Sequence, residues 1–118
     1  MTKYEFTIMN WDVPIMHVIM DLDSDYIETE RLTEDKKYQI FGFVPNKMQM
    51  FKFLEMRCFE RTRPDTKKLL SLMGLDTYNP YGIVKKSHGF TYDDQIWIKF
   101  PGEDLTWKDV NLNLNGKF

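Results

Sequence analysis

Basic side chains are concentrated near the middle of the chain. Three of the four arginines fall within seven residues, although lysines outnumber arginines 12 to 4 in the whole sequence. A guanidinium group can bind a carboxylate or a phosphate through two parallel hydrogen bonds, whereas an ammonium group acts as a point charge. We therefore predict a partner-binding surface here, which two later lysines would extend if the fold brings them close. Its candidate residues are Arg57, Arg61, Arg63, Lys67, Lys68, Lys85 and Lys86.

Carboxylates are interleaved with this basic cluster and support a second interpretation. Glu55, Glu60 and Asp65 alternate with the arginines along the chain. If the arginines pair with these acids in a buried network, the cluster stabilises the fold and is not a binding surface. The sequence leaves both interpretations open.

Residues that could support nucleophilic or metal-dependent catalysis are scarce. Cys58 is the only cysteine and lies on a predicted apolar helix stripe, where a thiol usually behaves as a small hydrophobe. His17 lies in an apolar strand, which is typical of a core histidine with a satisfied hydrogen bond. A nucleophilic pair of Cys58 and His88 would also need an orienting acid, and no local pattern supplies one. We expect no catalytic residue, no metal and no cofactor.

Asp21, Asp23 and Asp25 are spaced like the first ligands of a calcium-binding loop. The sixth position of such a loop requires glycine and the twelfth requires a bidentate glutamate, but the residues here are Tyr26 and Leu32. The segment therefore predicts a hydrated turn. The six glycines are isolated, so no phosphate-binding motif can be written from them.

Charge is distributed unevenly along the 118 residues. Residues 1–35 carry nine carboxylates against Lys3 and Arg31, whereas residues 36–118 carry nine carboxylates against fourteen bases. The net charge of −2 therefore conceals an acidic first part and a basic remainder. Neither part is charged strongly enough to identify a nucleic-acid-binding protein.

The length fits one domain over residues 1–118. No apolar run approaches the ~18 residues that a membrane span needs, and the chain does not open with a secretion leader. The absence of alanine and the excess of lysine indicate an AT-rich genome. We expect a cytoplasmic protein without membrane contact, from a low-GC bacterium, a phage or a mobile element.

Hydrophobic alternation predicts strands over residues 3–8, 14–22, 26–32 and 38–44. Connections this short favour antiparallel neighbours, so these strands are expected to form a four-stranded meander.

Helix signals follow directly after the predicted meander. Asn46 and Gln49 predict a capping box at the start of one helix. Thr62 and Asp65 predict the start of a second helix, and Gly74 predicts its end in a left-handed conformation.

The C-terminal part is predicted to mix strands with one helical turn. A short strand is expected over 81–85, an alternating strand over 95–100, and a turn around Trp107 capped by Asp104. Residues 111–118 are expected to form a loose tail.

The predicted fold class is α+β. An N-terminal antiparallel four-stranded meander (about 3–44) precedes two consecutive helices (about 47–73) and a C-terminal strand-bearing segment (78–110).

Several stretches resemble the N-terminal module of HipA-like kinase-family proteins of low-GC bacteria, and short stand-alone relatives on mobile elements. They are VPIMHVIMDLDSDYIE, FLEMRCFERTR, LLSLMGL, YNPYGIVKKSHGFTYDDQIWIKF and LTWKDVNL. In that family the ATP site and the catalytic acids belong to a kinase-like domain that this sequence does not contain, so no kinase residue is carried over. The resemblance implies a role in docking, regulation or substrate presentation.

The sequence thus predicts a non-enzymatic protein-interaction or regulatory accessory module whose partner is another protein. A nucleic-acid-associated protein that uses the basic patch from Arg57 to Lys68 is the alternative. A small enzyme is the least supported class, because no set of nucleophile, base and metal ligands can be assembled.

Overall fold

The computed structural model describes residues 2–38, 40–91 and 94–111 and has the predicted α+β architecture. Four antiparallel strands form one sheet in the order β3-β2-β1-β4, and four helices accompany it. In chain order the elements are β1 (Lys3–Asn10), β2 (Val13–Asp21), β3 (Ile27–Arg31), a short 3-10 helix (Lys36–Tyr38), α1 (Lys47–Met56), α2 (Thr66–Leu72), α3 (Pro80–Ser87), β4 (Ile96–Lys99) and α4 (Trp107–Val110).

The first three strands form the predicted meander, and their alternation decides which face is buried. Tyr4, Phe6 and Ile8 of β1 lie opposite Met20, Val18 and Met16 of β2, and all six are buried. Side chains from α1 and α3 complete this cluster on the same face of the sheet: Met50, Leu54 and Val84. Burial of alternate side chains fixes the register, because a slip of one residue would expose the whole set.

The fourth strand was predicted in the wrong place. Among residues 38 and 40–44 the structure has no strand; Tyr38, Ile40 and Phe41 instead pack as partly buried side chains against the core. The position beside β1 belongs to β4, with Ile98 opposite Ile8. Local alternation predicted a strand at 38–44 next to β3, but the apolar side chains of this segment pack against the core, and the fourth strand is a segment that is distant in sequence.

The start of α1 was predicted correctly. The Asn46 side chain accepts a hydrogen bond from the Gln49 amide at 2.8 Å, and the Gln49 side chain accepts from the Asn46 amide at 2.9 Å. Two backbone donors that the helix leaves unpaired are thereby satisfied. The cap sets the helix phase that buries Met50 and Leu54.

The second helix starts later than predicted and ends as predicted. Its N-cap is Asp65, so the prediction that Thr62 marks the start was wrong; the Thr66 hydroxyl instead donates to the Arg63 carbonyl at 2.6 Å. At the other end, the amide of Gly74 donates to Ser71 and that of Leu75 to Leu70. Gly74 has φ +75°, the left-handed conformation in which glycine avoids strain.

The prediction of a strand over 81–85 was wrong, because this segment lies within α3. Asn79 caps the helix by accepting from the Tyr81 amide at 3.0 Å, and Pro80 occupies the first turn, where a missing N–H costs nothing. Ile83 and Val84 are buried. A cap followed by proline is a helix signal that outweighs the β-branched pair.

The remaining C-terminal predictions are mostly confirmed. The strand predicted over 95–100 is β4, and a single helical turn, α4, contains Trp107 and Val110. Its cap was predicted wrongly, since Thr106 and Asp109 form the capping box instead of Asp104. The predicted tail lies outside the described residues, except for Asn111.

The end of α2 provides a test of this architecture. Gly74→Ala is expected to lower the free energy of unfolding by about 1 kcal/mol, because a β-carbon is strained at positive φ. Apart from Gly74 and its chain neighbours, no described residue has an atom within 4 Å of the position that this β-carbon would take, so the loss would reflect backbone strain alone. Gly42→Ala is the matched control, since its added β-carbon also meets open space and its φ is not positive. Urea melts in which both variants lose the same stability would contradict the assigned end of α2.

Candidate functional site

Arg57, at the C-terminal end of α1, lies inside the protein and does not belong to an exposed patch. Its side chain is 8% exposed. The guanidinium donates two parallel hydrogen bonds to Asp94 at 2.8 and 2.9 Å, one to the Gly89 carbonyl at 2.9 Å, and one to the Ile96 carbonyl at 2.6 Å. We call this arrangement the Arg57 clamp. It joins α1 to the turn after α3 and to β4.

The clamp is electrostatically paired. Partial burial by itself raises the pKa of the Asp94 carboxyl, but the hydrogen bonds and charge of Arg57 and the Ile96 amide outweigh it and hold the pKa below its usual value. Asp94 therefore stabilises the fold fully above the pKa of the unfolded chain. This contribution is lost as the pH falls through the lower pKa of the folded state. The predicted internal network thus exists for Arg57, although its acid is distant in sequence.

The other six predicted patch residues are exposed; three of them contact a carboxylate or an aromatic ring, and three are lysines without an ion pair. Arg63 pairs with Asp65 at 2.6 Å, and the guanidinium of Arg61 stacks on the Tyr78 ring at 4.7 Å. Lys85 lies 5.9 Å from the centre of the Phe100 ring. The remaining three lysines form no ion pair with any described residue: Lys67, Lys68 and Lys86. These three, together with Arg61 and Lys85, carry positive charge that no carboxylate of the described residues neutralises.

A groove between α2 and α3 brings apolar and basic groups together. It encloses about 520 Å³ and is lined by Leu69, Leu72, Met73, Lys86 and Ser87. Leu72 is 75% exposed. The two helices carry four lysines and no carboxylate. We call this feature the helix groove; it combines an apolar lining with positive charge on both helices.

Cys58 has the properties of an unreactive thiol. Its Sγ lies 3.3 Å from the Leu54 carbonyl, to which the thiol donates. Burial, followed by the negative charge of Glu55, raises the pKa of Cys58 to about 12, and the opposing effect of Arg57 is smaller. The thiolate that a nucleophile requires is therefore disfavoured. The position that the sequence placed on an apolar helix stripe is half-buried.

Both histidines bind carboxylates. His17 Nε2 lies 2.8 Å from Glu5, and His88 Nε2 lies 2.8 Å from Glu103. Hydrogen bonds from Lys3 and then His17 lower the pKa of Glu5. His17 is only partly buried, so it is not the core residue that the sequence predicted. Within the described ranges neither imidazole hydrogen-bonds a hydroxyl or thiol that it could activate.

The turn that contains Asp21, Asp23 and Asp25 binds the ammonium group of Lys47, a cation from the protein itself. Asp21 accepts hydrogen bonds from the amides of Thr2 and Asp23, each at 3.1 Å, and from the Ser24 hydroxyl at 2.9 Å. The Lys47 ammonium donates to the carbonyls of Asp21 and Ser24. Across the described residues, no three histidine, cysteine or acidic side chains are arranged to hold a metal ion.

The sequence missed the helix groove because it assigned residues 81–85 to a strand and so did not predict α3. The signals for α3 were present: Asn79 before Pro80 marks a helix start, and lysines are favoured in a last helical turn. The sequence also missed the partner of Arg57, because Asp94 lies 37 residues away and no local pattern links them.

The clamp makes a testable prediction about stability. Arg57→Met is expected to lower the free energy of unfolding by about 3 kcal/mol, because it leaves a carboxylate and two carbonyls without their donor. Arg61→Met is the control from the same predicted cluster, and it should cost less than about 1 kcal/mol because Arg61 is exposed and its guanidinium contacts one aromatic ring. Denaturant melts measure both. Equal losses would show that Arg57 is no more structural than its neighbours.

Comparisons with protein-family models, with curated proteins and with solved structures find no match to this chain. The resemblance to HipA-like N-terminal modules therefore stays a prediction. Among the residues that the structure describes, no helix is long and apolar enough to cross a membrane.

Proposed function

We propose that this protein is a non-enzymatic interaction module that binds an acidic, amphipathic segment of a partner protein in the helix groove. The observation that supports this proposal best is the apolar groove between α2 and α3, two helices that carry four lysines and no carboxylate, with Lys86 in the groove lining. A regulatory accessory role belongs to the same proposal and is supported by the sequence resemblance, and an origin in a phage or mobile element is supported by the AT-rich composition as well.

The apolar lining favours a protein partner over other polyanions. Leu69, Leu72 and Met73 offer surface that is stabilised by burial against apolar side chains. Lys68 lies one helical turn before Leu72, so an acidic residue beside an apolar anchor would meet a lysine. An amphipathic helix laid into a groove presents this combination of residues.

A nucleic-acid partner is the second candidate, favoured by the unpaired charges of Lys67, Lys68 and Lys86. Phosphate contacts would release counterions, so affinity would fall steeply with salt. The structure provides fewer guanidinium groups for phosphate than the sequence predicted, because Arg57 is buried and Arg63 is paired. We therefore place the protein partner first.

Selection of peptides from a random display library tests the proposal without a known partner. We expect selected peptides to combine acidic with apolar residues. Leu72→Glu should weaken their binding at least about tenfold, because it removes an apolar contact and adds repulsion. Met48→Glu is the matched control, since Met48 is 69% exposed on α1 and is not among the residues that line the groove, and its substitution should change affinity little.

Two results would contradict this proposal. One is selected peptides that bind Leu72→Glu as tightly as the unaltered protein. The other is tighter binding to oligonucleotides than to any selected peptide, with a steep salt dependence that Lys67→Glu and Lys68→Glu remove. That second result would establish the nucleic-acid alternative.

A further inference from the structure

The two edges of the sheet differ in how their backbone groups are satisfied. At the β4 edge, the Ile98 amide donates to the His88 carbonyl at 2.7 Å, and the Ile96 carbonyl accepts from Arg57 at 2.6 Å. This edge is closed by the protein itself. At the other edge lies β3, whose only strand partner among the described residues is β2.

The hydrogen bonds at the ends of β3 show which of its backbone groups face outward. The Tyr26 carbonyl accepts from the Asp21 amide at 3.2 Å, and the Leu32 amide donates to the Ile15 carbonyl at 3.0 Å. Backbone groups alternate sides along an antiparallel strand, so residues 26, 28, 30 and 32 point toward β2. The amides and carbonyls of Ile27, Thr29 and Arg31 therefore point away from the sheet, and none bonds a described residue.

The side chains along this edge define the partner that would fit. Glu28 and Glu30 project on the same sheet face as His17 and Ile19, opposite to the packed core. Ile27 and Thr29 lie on the core side and are partly buried. An added strand would place alternate residues beside the two glutamates and the intervening residues beside Ile27 and Thr29. Opposite charges directly across a strand pair stabilise it, and like charges destabilise it.

We propose that the β3 edge is a docking site for an extended segment of another protein in which basic and apolar residues alternate. The segment adds as an antiparallel fifth strand, in keeping with the rest of the sheet. Its basic side chains lie beside Glu28 and Glu30, and its apolar side chains lie beside Ile27 and Thr29. This inference does not depend on the helix groove, which has the opposite charge and lies on other elements.

A second copy of this chain fits the edge poorly. In an antiparallel pair of two β3 strands, the glutamates of both strands would share one sheet face and repel each other. Further carboxylates flank the strand on both sides: Asp23, Asp25, Glu34 and Asp35. Charge complementarity therefore selects a basic partner.

The geometry makes a sharp prediction for the acetylated peptide Lys-Val-Lys-Ile-Lys-Val-Lys. In the antiparallel pairing, its valine and isoleucine residues lie opposite Ile27, Thr29 and Arg31 and exchange the backbone hydrogen bonds, whereas the lysine amides point away. Methylation of the valine and isoleucine amides should weaken binding at least about tenfold, while methylation of the interior lysine amides should be tolerated. Fluorescence anisotropy measures both. Equal binding of the two methylated peptides, the reverse order, or no binding of the parent peptide would overturn the proposal.

Charge-reversed variants separate strand pairing from general attraction to an acidic protein. The double variant Glu28→Lys, Glu30→Lys should bind the parent peptide at least about tenfold more weakly than the unaltered protein. The double variant Glu34→Lys, Asp35→Lys has the same change in net charge, and its affinity for the peptide should fall much less. Equal losses would overturn the proposal, because they would indicate only long-range attraction. Self-association in which the β3 amides become protected without peptide would assign the edge to a second copy and would also overturn it.

Discussion

The hydrogen bonds of the Arg57 guanidinium are the interaction on which the rest of this structure depends. A buried guanidinium must have its donors satisfied, and here one side chain reaches Gly89, Asp94 and Ile96 at once. Gly89 lies in the turn after α3, Asp94 lies just before β4, and Ile96 is the first residue of β4. The position of α1 on the sheet, the turn that follows α3 and the placement of β4 beside β1 are therefore coupled through one residue. Gly89 fits this site closely, since an added β-carbon would lie 3.4 Å from Arg57 Cβ and 3.0 Å from Ile98.

The clamp also explains where binding surface is available. Because Arg57 and the His88 carbonyl occupy the outer edge of β4, this edge is not available to another strand. The corresponding edge of β3 is open within the described ranges and carries acidic side chains. Meanwhile α2 and α3 hold lysines without carboxylates. The acidic and basic parts of the sequence thus lie on different elements of the fold: the acidic side chains at the edge of β3 and the lysines on the two helices of the helix groove.

Sequence reasoning succeeded where the signals were local. The alternation of Tyr4, Phe6 and Ile8, the capping box of Asn46 and the left-handed end at Gly74 each depend on residues a few positions apart. It failed where the outcome depends on contacts between distant segments. Residues 38–44 alternate as a strand would, but Tyr38, Ile40 and Phe41 pack against the core, and the fourth strand is β4, whose Ile98 pairs with Ile8.

The candidate site was predicted only in part, for the same physical reason. An arginine in a basic cluster gives no local indication that its partner is Asp94, so Arg57 was grouped with the exposed residues Arg61 and Lys68. The helix groove depends on α3, whose cap at Asn79 could have been recognised from sequence. The open edge of β3 could not have been recognised from the sequence, because its recognition requires the order of the strands in the sheet.

Amide hydrogen exchange of the unliganded protein, followed residue by residue by NMR, tests most directly the claim that one sheet edge is closed and the other open. The Ile98 amide, bonded to the His88 carbonyl, should exchange at least about a hundredfold more slowly than an unstructured amide. The Thr29 amide, directed away from the sheet, should exchange at close to the unstructured rate. Equal protection of the two amides, or an unprotected Ile98, would contradict this account.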